Sequence, residues 1–158
     1  MCCNNSWDFD KLPVVDRWNY EEIMITGGEP LLFMLKLKEL LSSIRIITPI
    51  QGNCPKIYIY SAVFNKYYIA ALFAYIDGIV LTPHKKEDIT ELIKLNQYLL
   101  DGSEFMKSKS LRLNLFPDMK ALLPKDIDLS LWQVKDIEWI ENCPVPEGED
   151  FRRIANLW

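Results

Sequence analysis

Short apolar runs of strand length alternate with runs of helix length from residue 23 to residue 123, and that alternation leaves few folds open. Ile23, Met24, Ile25 and Thr26 form a buried strand ended by Gly27 and Gly28. Pro30 suits a first helical turn, so residues 31–41 read as a helix. Ile57, Tyr58, Ile59 and Tyr60 make a second strand of good β-formers. Asn65 caps a helix over residues 66–75. Gly78, Ile79, Val80 and Leu81 make a third strand. In a helix over residues 88–100, Ile89, Leu92, Ile93, Leu99 and Leu100 share one face, and Gly102 lies just beyond its end. Residues 111–116 are a fourth strand stopped by Pro117, a short helix covers 119–123, and a fifth strand lies within 131–140. The tail, residues 141–158, carries Pro144, Pro146 and Gly148 and reads as irregular, with a last helical turn.

Parallel strands joined by right-handed crossovers follow from this order. The expected fold class is α/β, a partial parallel barrel of about five strands in one domain spanning residues 1–158. One edge is unusual. The strand at 23–26 is apolar enough to be central, yet no earlier segment reads as a strand. An open apolar edge is a liability that domains cover, so a preceding strand is expected that this sequence lacks.

Composition narrows the function classes. The chain has 158 residues, 18 Lys+Arg against 22 Asp+Glu, and a net charge of −4. That balance argues against an electrostatic nucleic-acid binder. No apolar run approaches the ~20 residues of a membrane helix, and polar Asn4, Asn5, Ser6 and Asp8 follow Met1 where a signal peptide would be apolar. The cysteines stand at 2, 3, 54 and 143, which is no disulfide framework. The expected compartment is cytoplasmic.

In parallel α/β folds ligands bind beyond the carboxyl ends of the strands. Here those ends carry Thr26-Gly27-Gly28-Glu29, Ser61, Thr82-Pro83-His84 and Phe116-Pro117-Asp118. The two glycines let backbone approach a ligand closely. Glu29 puts a carboxylate at the mouth, where it suits an ammonium group, and Pro30 fixes the entry to the next helix. The alternative is a plain strand-to-helix turn with Glu29 near the helix dipole.

Gly27-Gly28-Glu29-Pro30 resembles the GGEP motif of radical S-adenosylmethionine enzymes, and the chain resembles their organic-radical-activating members. The resemblance implies a (β/α)6 barrel of which this chain covers strands two to six. It implies S-adenosylmethionine as cofactor, its amine held by Gly27, Gly28, Glu29 and Pro30 and its carboxylate by Ser61, with His84 also at the site. It further implies a four-iron four-sulfur cluster on a CxxxCxΦC motif, in which Met1 and Cys2 would be the last two positions. Cys2 would be the one cluster ligand present, with two of the three motif cysteines absent from this sequence. The implied activity is reductive cleavage of the cofactor to start radical chemistry on a small-molecule or protein substrate, with flavodoxin or ferredoxin as reductant. The chain then reads as amino-terminally truncated. The alternative is a non-catalytic α/β module binding a metabolite or protein partner.

Other candidates carry two readings each. Cys3 is an alternative third ligand or an exposed thiol, Cys54 a structural or exposed thiol, and Cys143 a recruited ligand or a loop thiol. Arg112 and Asn114 alternate with Leu111, Leu113 and Leu115; they face the cofactor or are polar residues of a partly exposed strand. Arg152, Arg153 and Trp158 bind an anion or partner, or belong to a solvated tail. Tyr58, Tyr60, Tyr67 and Tyr68 read as core and rim aromatics.

Overall fold

A computed structural model describes residues 8–140, 145 and 147–155. Cys2, Cys3, Cys143 and Trp158 lie outside them. Five strands form one all-parallel sheet: β1 (Glu22–Ile25), β2 (Lys56–Ser61), β3 (Gly78–Leu81), β4 (Ser110–Leu115) and β5 (Gln133–Asp136). Helices flank it: α1 (Met34–Ile50), α2 (Lys66–Leu72), α3 (Lys86–Leu100), and two single turns, α4 (Glu104–Lys107) and α5 (Pro117–Lys120). The expected α/β class with about five parallel strands is what the chain adopts.

Strand order follows chain order, β1-β2-β3-β4-β5. Right-handed crossovers between sequential neighbours put every helix on the same face, as in a barrel; a doubly wound sheet must reverse its order. The burial agrees. Ile25, Ile57, Ile59, Ile79, Leu81, Leu111, Leu113 and Leu115 join one core with Leu37 and Leu41 of α1, Ile69 of α2 and Leu92 and Leu95 of α3. The alternate positions, Met24, Tyr58, Tyr60, Val80, Arg112 and Asn114, therefore share the helix-free face.

Several elements differ from expectation, among them the short helix expected over 119–123, which forms over Pro117–Lys120. The first helix opens as a 3-10 turn over Pro30–Phe33 and then runs as α1 to Ile50, nine residues past Leu41. Ile46, Ile47 and Pro49 argue for an earlier stop, but Pro49 sits in the last turn and the Thr48 hydroxyl donates to the Ile44 carbonyl. The second helix stops at Leu72 instead of Tyr75. Asn65 does cap it, accepting from the Tyr67 and Tyr68 amides, but those two tyrosines are exposed and only Tyr58 of the four is buried. No helical turn forms among the described tail residues; Arg153 instead bridges Val14.

Among the described residues the first strand lies at the edge of the sheet. Among the described residues β1 pairs only with β2, and Met24 is 42% exposed. Its approach is pinned by Asn53, whose side-chain amide donates to the Trp18 and Tyr20 carbonyls.

A polar clamp closes the amino end of the sheet. Arg45 on α1 donates to the carbonyls of Tyr75 and Pro55 and to the Asp77 carboxylate at 2.6 Å, and Asp77 also accepts from the Ile57 amide. Partial burial raises the Asp77 pKa, but the Ile57 amide and the Arg45 guanidinium outweigh it and hold it below its ordinary value. A depressed folded pKa gives stability that is present above the unfolded value near 3.9 and lost as pH falls through the folded one. Asp77 is 39% exposed, so solvent screening moderates its effect. Asp77→Ala is expected to cost about 1–2 kcal/mol at neutral pH. Urea unfolding of both proteins should show that difference shrinking below about pH 4.

Candidate functional site

The sequence motif folds into a loop at the carboxyl end of β1. Gly27 and Gly28 take positive φ, +86° and +59°, and a Cβ on either would meet nothing within 4 Å. Their backbone faces open space that a side-chain-bearing residue would fill only under strain. Glu29 is partly buried and extended, at φ −136°. Its carboxylate turns to the end of β2: one oxygen accepts from the Ser61 hydroxyl at 2.5 Å, the other from the Ala62 amide at 2.9 Å. No ion pair engages Glu29 among the described residues. A carboxylate has about four acceptor positions, so each oxygen keeps capacity for an ammonium. Pro30 is buried and opens the 3-10 turn.

Ser61 is 3% exposed, and its hydroxyl also accepts from the Val63 amide at 2.9 Å. Its proton goes to Glu29. As folded here, Ser61 orients Glu29 and does not present its own proton to a ligand carboxylate. The Ala62 amide does the same work and carries no sequence signal, since any residue there has an N–H.

Thr82 continues the ladder beyond β3, its amide donating to the Ser61 carbonyl. Its hydroxyl is buried and has no hydrogen-bond partner among the described residues. Buried polar groups are normally satisfied, so this orphan marks the rim as a place where a polar ligand atom fits. His84 stands beyond it, exposed, with its ring tilted 45° against Phe116 at 5.7 Å. Its backbone amide and that of Lys85 donate to Asp88, which caps α3. A depression of about 460 Å³ there is lined by Ala62, Asn65, His84, Asp88 and Lys94.

A cleft of about 530 Å³ runs along the free edge of β1, from Glu22 to Gly28. Leu12, Val15, Trp18 and the segment 150–154 form its far side. Arg152 pairs with Asp150 and Asp16, and Tyr20 donates to Asp150 at 2.9 Å. Of the two arginines that offered an anion site, Arg152 is thus committed to carboxylates and Arg153 donates to the Leu12 carbonyl.

The residues present suit the amine of S-adenosylmethionine: an oriented carboxylate, bare backbone beside it and an orphan hydroxyl on the same rim. The described residues do not supply a cluster. They hold no group of three or more potential metal ligands. Their one cysteine, Cys54, is exposed and precedes β2 at the opposite end of the sheet. No helix among them is long and apolar enough to cross a membrane. The chain matches no family model, no curated protein and no solved structure at a significant level.

Proposed function

We propose that this chain binds S-adenosylmethionine through the α-ammonium group, as a radical S-adenosylmethionine protein of the organic-radical-activating kind. The observation that carries the reading is the Glu29 carboxylate, fixed by Ser61 and Ala62 beside two glycines with open space above them. An oriented carboxylate needs no reorganisation to receive an ammonium, and a charge-assisted hydrogen bond is roughly twice as strong as a neutral one. The loop presents that acceptor at the strand ends, where parallel α/β folds place ligands.

With a reduced iron–sulfur cluster, S-adenosylmethionine supplies radical initiation by reductive cleavage. The sequence offers Cys2 for the last position of the cluster motif without the motif's other two cysteines, so on its own the chain binds the cofactor without turning it over. On this reading a flavodoxin or ferredoxin supplies the electron once the cluster's remaining ligands are provided. The cysteine shortfall also favours a second reading, a binding module for an amine-bearing metabolite.

Calorimetric titration of the full chain with S-adenosylmethionine tests the proposal. Saturable one-to-one binding is the expected result. No binding overturns it, and tighter binding of simple amino acids favours the module.

A further inference from the structure

Among the described residues the helix-free face has a cation without a counter-charge. Arg112 is partly buried on β4, and its guanidinium lies 4.7 Å from the centre of the Tyr58 ring. Tyr58 is 4% exposed. Among the described residues no carboxylate pairs with Arg112, and its N–H groups reach no acceptor. A guanidinium held over an aromatic ring keeps its in-plane donors free for a two-point contact.

The surroundings favour negative charge. In the next row on β4, the Asn114 amide donates to the Tyr60 hydroxyl, which leaves the Tyr60 proton free to donate outward. Lys135 on β5 stands in register with Asn114 on the same face, and Gln133 in register with Arg112. The acid of this face, Glu22, lies on β1, three strands from β4. Across β3, which carries Gly78 and Val80 on this face, the Tyr58 and Tyr60 side chains reach from β2 to Arg112 and Asn114 of β4.

We infer that Arg112, with the Tyr60 hydroxyl and Lys135, binds an oxyanion, a carboxylate or phosphate carried by a small ligand on the helix-free face. Arg112 supplies the two-point contact. Tyr58 supports its stem, and Asn114 fixes the Tyr60 ring. The inference does not depend on Glu29 or on any cofactor, so its failure and the failure of the cofactor reading are separate results.

The test follows the side-chain Nε–H signals of the arginines by NMR in the full chain at low ionic strength. Inorganic phosphate and succinate are titrated separately. The Arg112 signal should shift saturably while that of exposed Arg17 does not. A response to phosphate alone assigns a phosphate ligand, to succinate alone a carboxylate, and to both a general oxyanion site. Arg112→Lys should weaken binding about three- to tenfold by losing the two-point contact, and Arg112→Met, which keeps an apolar stem over Tyr58, should abolish it. A linear, unsaturated response of Arg112, or equal shifts at Arg17, overturns the inference. The wild-type signal decides this even where a variant fails to fold.

Discussion

Replacing Gly78 with alanine is expected to lower stability by about 2–4 kcal/mol, through overpacking and displaced backbone. Gly78 opens β3 at the centre of the sheet, between Tyr58 of β2 and Ser110 of β4. A Cβ there would stand 2.4 Å from the Ser110 carbonyl oxygen, 2.7 Å from the Ser110 Cβ and 3.0 Å from the Tyr58 ring. The nearest atom is backbone, so no rotamer change relieves the clash. The third and fourth strands must separate locally, and the Ser110 amide, which donates to the Asp77 carbonyl, shifts with them. Denaturant unfolding reads the loss as a lower midpoint. A glycine-to-alanine change that merely reduced chain entropy in the unfolded state would raise stability by up to about 1 kcal/mol instead, so the sign separates the two effects.

The second large effect is expected at Glu29. Glu29→Gln keeps the size of the side chain and removes its charge. Its carbonyl oxygen can accept from either Ser61 or the Ala62 amide, while its amide group faces the other donor. A ligand ammonium then loses a charge-assisted partner, worth about 1.5–3 kcal/mol, so the affinity for S-adenosylmethionine should fall roughly 10- to 100-fold. Glu29→Asp keeps the charge but shortens the reach to β2, leaving Ser61 and Ala62 unserved. It should lose stability as well as affinity. Ser61→Ala distinguishes orientation from ligand contact. If Ser61 acts through Glu29, the double variant with Glu29→Gln should bind no more weakly than Glu29→Gln alone.

The repeating strand–helix order and the β-rich runs made the sheet legible, because a strand such as Gly78–Leu81, buried at every position, has one plausible place in an α/β fold. Element ends were less legible. Residues 46–50 look like a strand by propensity, but packing of Leu37, Leu41, Ile44 and Thr48 on the sheet carries α1 through them. The tertiary contacts override a propensity difference of a few tenths of a kcal/mol per residue. The place of β1 in the sheet was half visible: residues 8–21 carry no strand pattern, and the 42% exposure of Met24 was hidden by a wholly apolar run.

At the site, Gly27 to Pro30 were legible because their chemistry lies in residue type. The partnership of Ser61 with Glu29 was not, since a register between loop and strand end decides it, 32 residues apart. The same holds for Asn96, which joins the Asp128 carbonyl to the buried Trp132 indole and reads in sequence as one polar residue in a helix.

An ammonium seated on the Glu29 carboxylate can be tested directly. The most direct measurement compares calorimetric titrations of the full chain with S-adenosylmethionine and with its analogue lacking the α-amino group. Saturable binding of the first and a loss of at least tenfold for the second are expected, with Glu29→Gln erasing the difference. Equal affinity for both, or a discrimination that survives in Glu29→Gln, would contradict it.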